Sequence, residues 1–342
     1  IAIKNSIIDN NFILSDTWLA WGDSFTIGVT SAGYPNDNAC LQLANLTSTT
    51  LINKAVSGTM APYPYAVVDY PNDTINTVAY ADYSSIVRYG FNDIRSTGVM
   101  YTNVFSWQKI YSNLIFSLSI PQASINNMRG GGLTENGTWA DTPVYGFGRY
   151  NSSTAVGDYL EVDITGRFYY LSITAVTSLG TTPIYEISIG GVKQSYVHFD
   201  ALTISTGTGD YTGFGVLIDM ATSASRTVKI EAKFTTSSVY VNWIGGWDRT
   251  TTNMRSVMCC SIPHFNFEHT GASPFNVPTD ERRLAFNNAI EETVKIAKYA
   301  GLPVVYNKYL SGINNFQSDN IHPTESCNRV QAEHMLEQIS NY

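Results

Sequence analysis

The sequence predicts an α/β protein: a three-layer α/β/α domain with a parallel sheet, interrupted by an inserted antiparallel β-sandwich. Near both ends of the chain, short apolar runs alternate with helical stretches, as in strand–helix–strand units. The middle of the chain shows period-two alternation with turn residues about every 8–12 positions, which is typical of antiparallel sandwiches. The length of 342 residues suits two domains or one domain with an insertion.

The first α/β segment begins with the apolar run "WLAW", which predicts a buried strand that ends at Gly22. Apolar spacing predicts two helices, and short apolar runs predict two further strands. The helices are expected at 38–48 and 104–120, and the strands at 50–56 and within 83–93. Pro121 is expected to stop the second helix.

A change in the pattern of apolar and turn residues marks the start of the insertion. Three glycines at 130–132 indicate a boundary, and β-like segments follow without a long helix. We therefore assign residues 1–120 and 255–342 to a catalytic domain, with 1–16 as a lead-in, and residues 121–254 to an inserted β-sandwich. This insertion is a candidate carbohydrate-binding domain.

After the insertion, short apolar runs again alternate with helical stretches. The expected elements are a strand within 255–263, a helix over 279–301, a strand over 302–307 and a helix over 324–340. Thr279 or Asp280 can cap the first of these helices, and Gly301 can end it.

The composition of the chain argues against two classes of function and favours a third. Charged residues make up only 14% of the chain, the net charge is −8, and Lys and Arg nowhere cluster, so nucleic-acid binding is disfavoured. No apolar run reaches the length of about 20 residues that a membrane span needs. The chain has 22 Tyr and 6 Trp, and a neutral surface rich in hydroxyls and aromatics suits contact with sugars.

The four cysteines, Cys40, Cys259, Cys260 and Cys327, lack the CxxC or Cys/His spacing of a zinc site. Because Cys259 and Cys260 lie in an apolar run, we interpret them as buried free thiols. The alternative is a disulfide that joins Cys40 or Cys327 to one of them. No metal or other cofactor is expected.

Polar residues that carry chemistry follow several predicted strands. They are Ser24, Gly58, Asn92 and the pair Asp319 and His322. Since parallel strands end at one edge of a sheet, these residues are expected to converge there.

Their types fit acyl transfer. A serine hydroxyl needs a base to take its proton, and His322 can serve Ser24 in this way. Asp319, three residues earlier, can orient the imidazole. The backbone N–H groups of Ser24 and Gly58 and the amide of Asn92 can form an oxyanion hole. We interpret Asp93, beside Asn92, as a structural cap or turn residue.

On these blocks the sequence resembles the SGNH hydrolases, also called the GDSL esterase/lipase family. The matching blocks are Gly22-Asp23-Ser24, "NKAVSGT" around Gly58, Gly90-Phe91-Asn92-Asp93 and Asp319-Asn320-Ile321-His322. Phe25 stands where leucine is common, and the 227 residues from Asn92 to Asp319 exceed what a minimal family domain needs. The resemblance implies a flavodoxin-like catalytic domain, a Ser24–His322–Asp319 triad, the oxyanion hole above and a metal-free ester hydrolysis.

Four further residues are candidates for substrate binding: Trp243, Trp247, Tyr89 and His264. Trp243 and Trp247 lie in "NWIGGWD", where an exposed aromatic platform would bind sugar. The alternative for these two tryptophans is a place in the sandwich core or the domain joint, and the alternative for His264 is a surface or loop role.

The expected function is removal of short acyl groups, chiefly O-acetyl, from a polysaccharide such as bacterial capsule or lipopolysaccharide. One alternative is a lipase or thioesterase that acts on longer acyl chains. Another is a glycan-binding adhesin with incidental esterase activity. The composition is similar to that of virion-attached tailspikes or of secreted bacterial enzymes, so an extracellular or virion location is expected. For a tailspike, a homotrimer would be natural.

Overall fold

The computed structural model describes residues 12, 14–27, 38–61, 83–95, 104–126, 128, 132–141, 149–151, 155–176, 184–198, 204–205, 210–234, 239–264, 279–310 and 322–340. They form two compact units. The first unit contains the described residues up to 61, those of 83–95 and those from 253 onwards. The second contains the described residues between 104 and 252.

The helices and strands are numbered along the chain. The first part contains β1 (Thr17–Gly22), α1 (Ser24–Ile27), α2 (Ala39–Thr47), β2 (Thr50–Asn53), β3 (Ser84–Arg88) and α3 (Phe91–Arg95). The middle contains α4 (Val104–Ser119), a 3₁₀ turn (Gln122–Ser124), β4 (Ile125–Asn126), β5 (Leu133–Asn136), β6 (Trp139–Asp141), β7 (Arg149–Asn151), β8 (Tyr159–Val176), β9 (Ile184–Ile189), β10 (Val192–His198), β11 (Ile204–Ser205), β12 (Asp210–Phe234) and β13 (Val239–Trp247). The last part contains β14 (Val257–Cys260), α5 (Asp280–Tyr299), β15 (Val304–Asn307) and α6 (Glu325–Ser340).

The first unit is built on a parallel sheet of five strands in the order β15-β14-β3-β1-β2. Numbered along the sheet from β2, this is the 2-1-3-4-5 order of flavodoxin-like folds, which reverses direction between β1 and β3. Ligands of such sheets bind outside the carboxyl ends of the strands at that reversal. The expected parallel sheet is therefore present, and its binding edge lies where β1 and β3 end.

Helices cover this sheet because its strands are apolar on both faces. In β1, Trp18 and Ala20 join a core formed with α2 and α6. Strand side chains alternate between faces, and α5, which contributes no residue to that core, contacts β14 and β15. Of the two caps that the sequence allows for α5, the structure has Thr279, whose side chain accepts a hydrogen bond from the Arg282 N–H.

In the second unit, the described residues form an antiparallel sheet of ten strands. The predicted spacing of turn residues, about every 8–12 positions, implies short strands, whereas β8 and β12 each run well beyond that length. The ladder between them shifts register between Asp219 and Ala224. Both halves of β8 contribute to one hydrophobic cluster, Leu160 from the first half and Leu171 from the second. The described strands thus form one hydrogen-bonded network, and both halves of the long strand β8 face a shared core.

Helix α4 belongs to the second unit, whereas the sequence assigned it to the catalytic domain. It contacts β12, and Phe116 stacks on Tyr170 of β8 with ring centroids 4.2 Å apart. The Tyr170 hydroxyl donates a 2.8 Å hydrogen bond to Asn113 Oδ1. The boundary was expected near residue 120, but it lies before α4, because this helix packs on the antiparallel sheet of the second unit.

All four cysteines are free and buried. This confirms the interpretation as buried thiols and contradicts the disulfide alternative. Within the described residues, we find no helix that is both long and apolar enough to cross a membrane.

Candidate active site

Ser24 lies where β1 ends and α1 begins. Gly22, the last residue of β1, has no room for a side chain: a Cβ there would overlap Thr26 Oγ1 and come within 2.7 Å of the Arg88 carbonyl oxygen. The side chain of Asp23 accepts a 3.1 Å hydrogen bond from the Phe25 N–H. These two features hold the serine at the carboxyl edge of the sheet.

His322 meets Ser24 across 298 residues of sequence, with His322 Nε2 and Ser24 Oγ 2.9 Å apart. Ser24 is buried, with 6% of its surface exposed, and His322 is half-buried. The distance is within hydrogen-bond range for a base and its nucleophile. The arrangement can therefore transfer a proton from the serine hydroxyl to the imidazole.

Phe25 supports this pair from the side. Its ring lies 5.2 Å from the His322 imidazole and 4.5 Å from the Phe91 ring, centroid to centroid. Phe25 stands where leucine is common in the family that the sequence resembles, and its contact with His322 was not predicted from the sequence. Aromatic residues at 25 and 91, each next to a candidate catalytic residue, were the available signal.

Gly58 and Asn92 belong to a hydrogen-bonded frame around the end of β1. The Val56 N–H donates a 3.1 Å hydrogen bond to the Gly22 carbonyl, which ties the loop after β2 to β1. Asn92 Nδ2 donates a 2.9 Å bond to the Thr59 carbonyl, and the other amide N–H remains for a ligand. Gly58 is exposed and has a φ of 78°, a backbone conformation that favours glycine.

Beneath this surface lies a buried charged cluster that the sequence analysis did not predict. Asp23, Arg88 and Asp93 are 1%, 7% and 0% exposed. The Asp93 carboxylate accepts hydrogen bonds of 3.1 and 3.3 Å from the Ala61 N–H, in line with a structural role. Arg88 donates a 3.3 Å bond to the Phe25 carbonyl, so the residue after Ser24 is held at both its N–H and its C=O.

Burial raises the pKa of Asp23 to about 7, and the negative charge of Asp93 adds to this effect. The Phe25 N–H and the Arg88 guanidinium act in the opposite direction by stabilising the carboxylate. The acidic residue next to the candidate nucleophile therefore changes its protonation near neutral pH.

Asp319, the candidate third member of the triad, lies outside the described residues, so its role stays a prediction. Within the described part of the chain, no group of three or more His, Cys, Asp or Glu side chains could hold a metal ion.

Three of the four candidate substrate-binding residues are buried. Trp243 is 0% exposed and Trp247 and Tyr89 are each 1% exposed. The Trp243 ring stacks on Tyr170 at 5.2 Å, and the Trp247 ring lies 6.1 Å from Phe116. The prediction of an exposed aromatic platform is therefore wrong, because α4 covers that face of the sheet.

His264 is exposed and lies 3.9 Å from the Asp280 carboxylate. It lines a cavity beside β14, β15 and α5, and neither Ser24 nor His322 is among the residues that line this cavity. His264 is therefore placed at the carboxyl edge of the sheet but outside the Ser24–His322 pair.

Comparisons with known proteins give structural likenesses only. No family model matches the chain, and no curated protein matches it. Among solved structures, a two-domain esterase active on acetylated mannans, co-crystallised with mannopentaose, is 12% identical with a TM-score of 0.37, covering 67% of this chain and 90% of that one. A family 35 carbohydrate-binding module from an environmental isolate is 13% identical with a TM-score of 0.29, covering 35% of this chain and 89% of that one. The catalytic domain of an α-1,3-glucanase is 15% identical with a TM-score of 0.26, covering 40% and 35%. At these scores the likenesses carry no argument about what this chain does.

Proposed function

We propose that this chain is a serine esterase that removes short acyl groups, chiefly O-acetyl, from a polysaccharide. The observation that carries the proposal is the 2.9 Å contact between His322 Nε2 and Ser24 Oγ at the carboxyl edge of the parallel sheet. A nucleophile and base at that edge lie where ligands of open α/β sheets bind.

The reaction has two steps. His322 Nε2 takes the proton of Ser24 as Oγ attacks the ester carbonyl, and the resulting oxyanion is stabilised by the Ser24 and Gly58 N–H groups and the Asn92 amide. Protonated His322 then donates its proton to the departing sugar oxygen, leaving an acyl-enzyme. Water, deprotonated by the same imidazole, releases the acyl group as a carboxylic acid and restores the Ser24 hydroxyl. In this scheme Asp319 holds the proton-bearing Nδ1 of His322.

The choice of a polysaccharide rests on the composition of the chain. With 14% charged residues and 22 Tyr, the protein offers neutral hydrogen-bonding groups and aromatic rings, which match sugar hydroxyls and C–H faces. We also propose a location outside the cell or on a virion. The homotrimer expected for a tailspike can be tested by light scattering in solution.

The acyl preference separates this proposal from a lipase or thioesterase. We expect kcat/KM for nitrophenyl acetate to be at least about tenfold higher than for nitrophenyl esters of about eight carbons or more. A pocket that fits an acetyl group discriminates against the additional methylenes of a longer acyl chain. It should also release acetate from at least one of acetylated mannan, acetylated xylan and acetylated bacterial capsule. A preference for the long esters would contradict the acetylesterase and favour the lipase.

The second unit offers a site for the alternative function, glycan binding. It contains a cavity of about 440 Å³ whose lining includes Asp163, Thr165 and Asp248. The Asp248 carboxylate accepts hydrogen bonds from the Thr250 N–H at 2.8 Å and from Ser223 Oγ at 3.0 Å. The Thr250 hydroxyl, together with these two bonds, lowers the pKa of Asp248, so one of the residues that line the cavity carries a negative charge at neutral pH.

Filling this cavity tests the binding function. Thr165 is exposed and lines the cavity, so Thr165→Trp should weaken retention in polysaccharide-containing gels by about tenfold and leave nitrophenyl acetate turnover unchanged. The control is Thr134→Trp, at an exposed strand position that does not line the cavity. Equal retention of the two variants would contradict glycan binding here. Glycan retention by a wild type that hydrolyses no ester would instead favour the adhesin.

A further inference from the structure

We propose that the cavity beside β14, β15 and α5, which His264 lines, binds a sugar unit of the same polysaccharide chain whose acyl group Ser24 attacks; this inference rests on the proposed function. The cavity has a volume of about 410 Å³, within the range of small-molecule pockets, about 300–1,000 Å³. Its lining includes Ser261, Arg283, Leu284, Glu291, Tyr306 and Lys308.

The cavity opens at the same edge of the sheet as the candidate active site. Ser261 directly follows β14 and Lys308 directly follows β15, so both lie at the carboxyl ends of their strands, as does Ser24 after β1. In the sheet order, β14 is two strands and β15 three strands from β1. With neighbouring strands about 4.8 Å apart, the cavity lies roughly 10–15 Å from Ser24 along the edge. A polymer that lies along this edge can reach both places.

The charges around the cavity nearly cancel. Arg283 donates a 2.7 Å hydrogen bond to Asp280 Oδ1, so its positive charge is already paired. Glu291 supplies a carboxylate to the wall and lies 3.2 Å from Lys295. An uncharged ligand with hydroxyl groups can donate a hydrogen bond to Glu291 and accept one from Lys308.

The remaining lining suits the body of a sugar ring. Leu284 is 47% exposed and supplies apolar surface beside the half-buried Tyr306 ring. Burial raises the pKa of Tyr306 to about 12, so its hydroxyl keeps its proton at neutral pH. Alternating apolar and hydrogen-bonding groups match the C–H faces and hydroxyls of a neutral sugar better than they match an acyl chain.

Filling the cavity provides the test. Leu284→Trp places a large side chain at an exposed position of α5 that lines the cavity. We expect at least about a tenfold rise in KM for the acetylated polysaccharide, with kcat and nitrophenyl acetate hydrolysis unchanged. The control is Ile296→Trp, on the same helix, 41% exposed and outside the cavity lining. An unchanged KM, an equal effect of the control, or a parallel loss on nitrophenyl acetate would each overturn the proposal.

A binding measurement separates this proposal from the esterase proposal. Electrophoresis through gels that contain the polysaccharide, acetylated or chemically deacetylated, compares the wild type with Leu284→Trp without any turnover. Weaker retention of Leu284→Trp in both gels supports the sugar site even if the wild type hydrolyses no ester, which would overturn only the proposed function. Equal retention of the two proteins, with ester hydrolysis intact, would overturn only the sugar site.

Discussion

Replacing Ser24 with alanine is expected to lower kcat for ester hydrolysis by about 10⁴-fold or more, because the attacking oxygen is lost. His322 Nε2, 2.9 Å from Ser24 Oγ in the wild type, then has no hydroxyl to deprotonate. The measurement is acetate release from acetylated polysaccharide and nitrophenol release from nitrophenyl acetate. Ser24 is buried, so the fold of the variant is checked by its thermal midpoint, which should change little.

The matched control for Ser24→Ala is Ser326→Ala, which removes an exposed hydroxyl near the start of α6 and should keep activity within about twofold. Equal rates of the wild type and Ser24→Ala would overturn the mechanism. If Ser24→Ala lost activity because it unfolds, its thermal midpoint would be lower and its glycan retention weaker. The activity of Ser24→Cys would then be measured in its place.

Replacing Asp23 with asparagine is expected to raise the free energy of unfolding relative to the wild type more at pH 8 than at pH 4. The gain at pH 8 should exceed the gain at pH 4 by an amount on the order of 4 kcal/mol. Burial and the charge of Asp93 raise the pKa of Asp23 from 3.8 to about 7, so the wild type bears the cost of a buried charge above that pH. Asparagine carries no charge, and its Oδ1 can still accept the hydrogen bond from the Phe25 N–H.

The sign follows from proton binding. Between about pH 4 and pH 7 the folded state holds the Asp23 proton and the unfolded state releases it, so the free energy of unfolding of the wild type falls as pH rises. Above about pH 7 both states are ionised and this change ends. Urea unfolding at several pH values measures the difference between wild type and variant. The control is Glu281→Gln at an exposed position of α5, and a pH-independent difference for Asp23→Asn would contradict the prediction.

The sequence by itself was sufficient for local structure and for the candidate residues. The apolar run "WLAW" and the run over 302–307 predicted strands, which the structure places at Thr17–Gly22 and Val304–Asn307. Of the two predicted caps of α5, Thr279 is the one observed. These features depend on neighbours within a few residues. The proximity of Ser24 and His322 also followed from the strand-end rule, because each motif lies at or beyond a strand end.

Only the tertiary structure decided which surfaces meet. Apolar spacing predicts a helix over 104–120, but it does not determine which sheet the helix covers. The helix packs on the antiparallel sheet of the second unit. That packing buries Trp243 and Trp247, although in sequence a buried and an exposed tryptophan look alike. The cluster of Asp23, Arg88 and Asp93 likewise assembles from separate strand ends. Burial and charge proximity arise from contacts between distant segments, so local sequence patterns do not determine them.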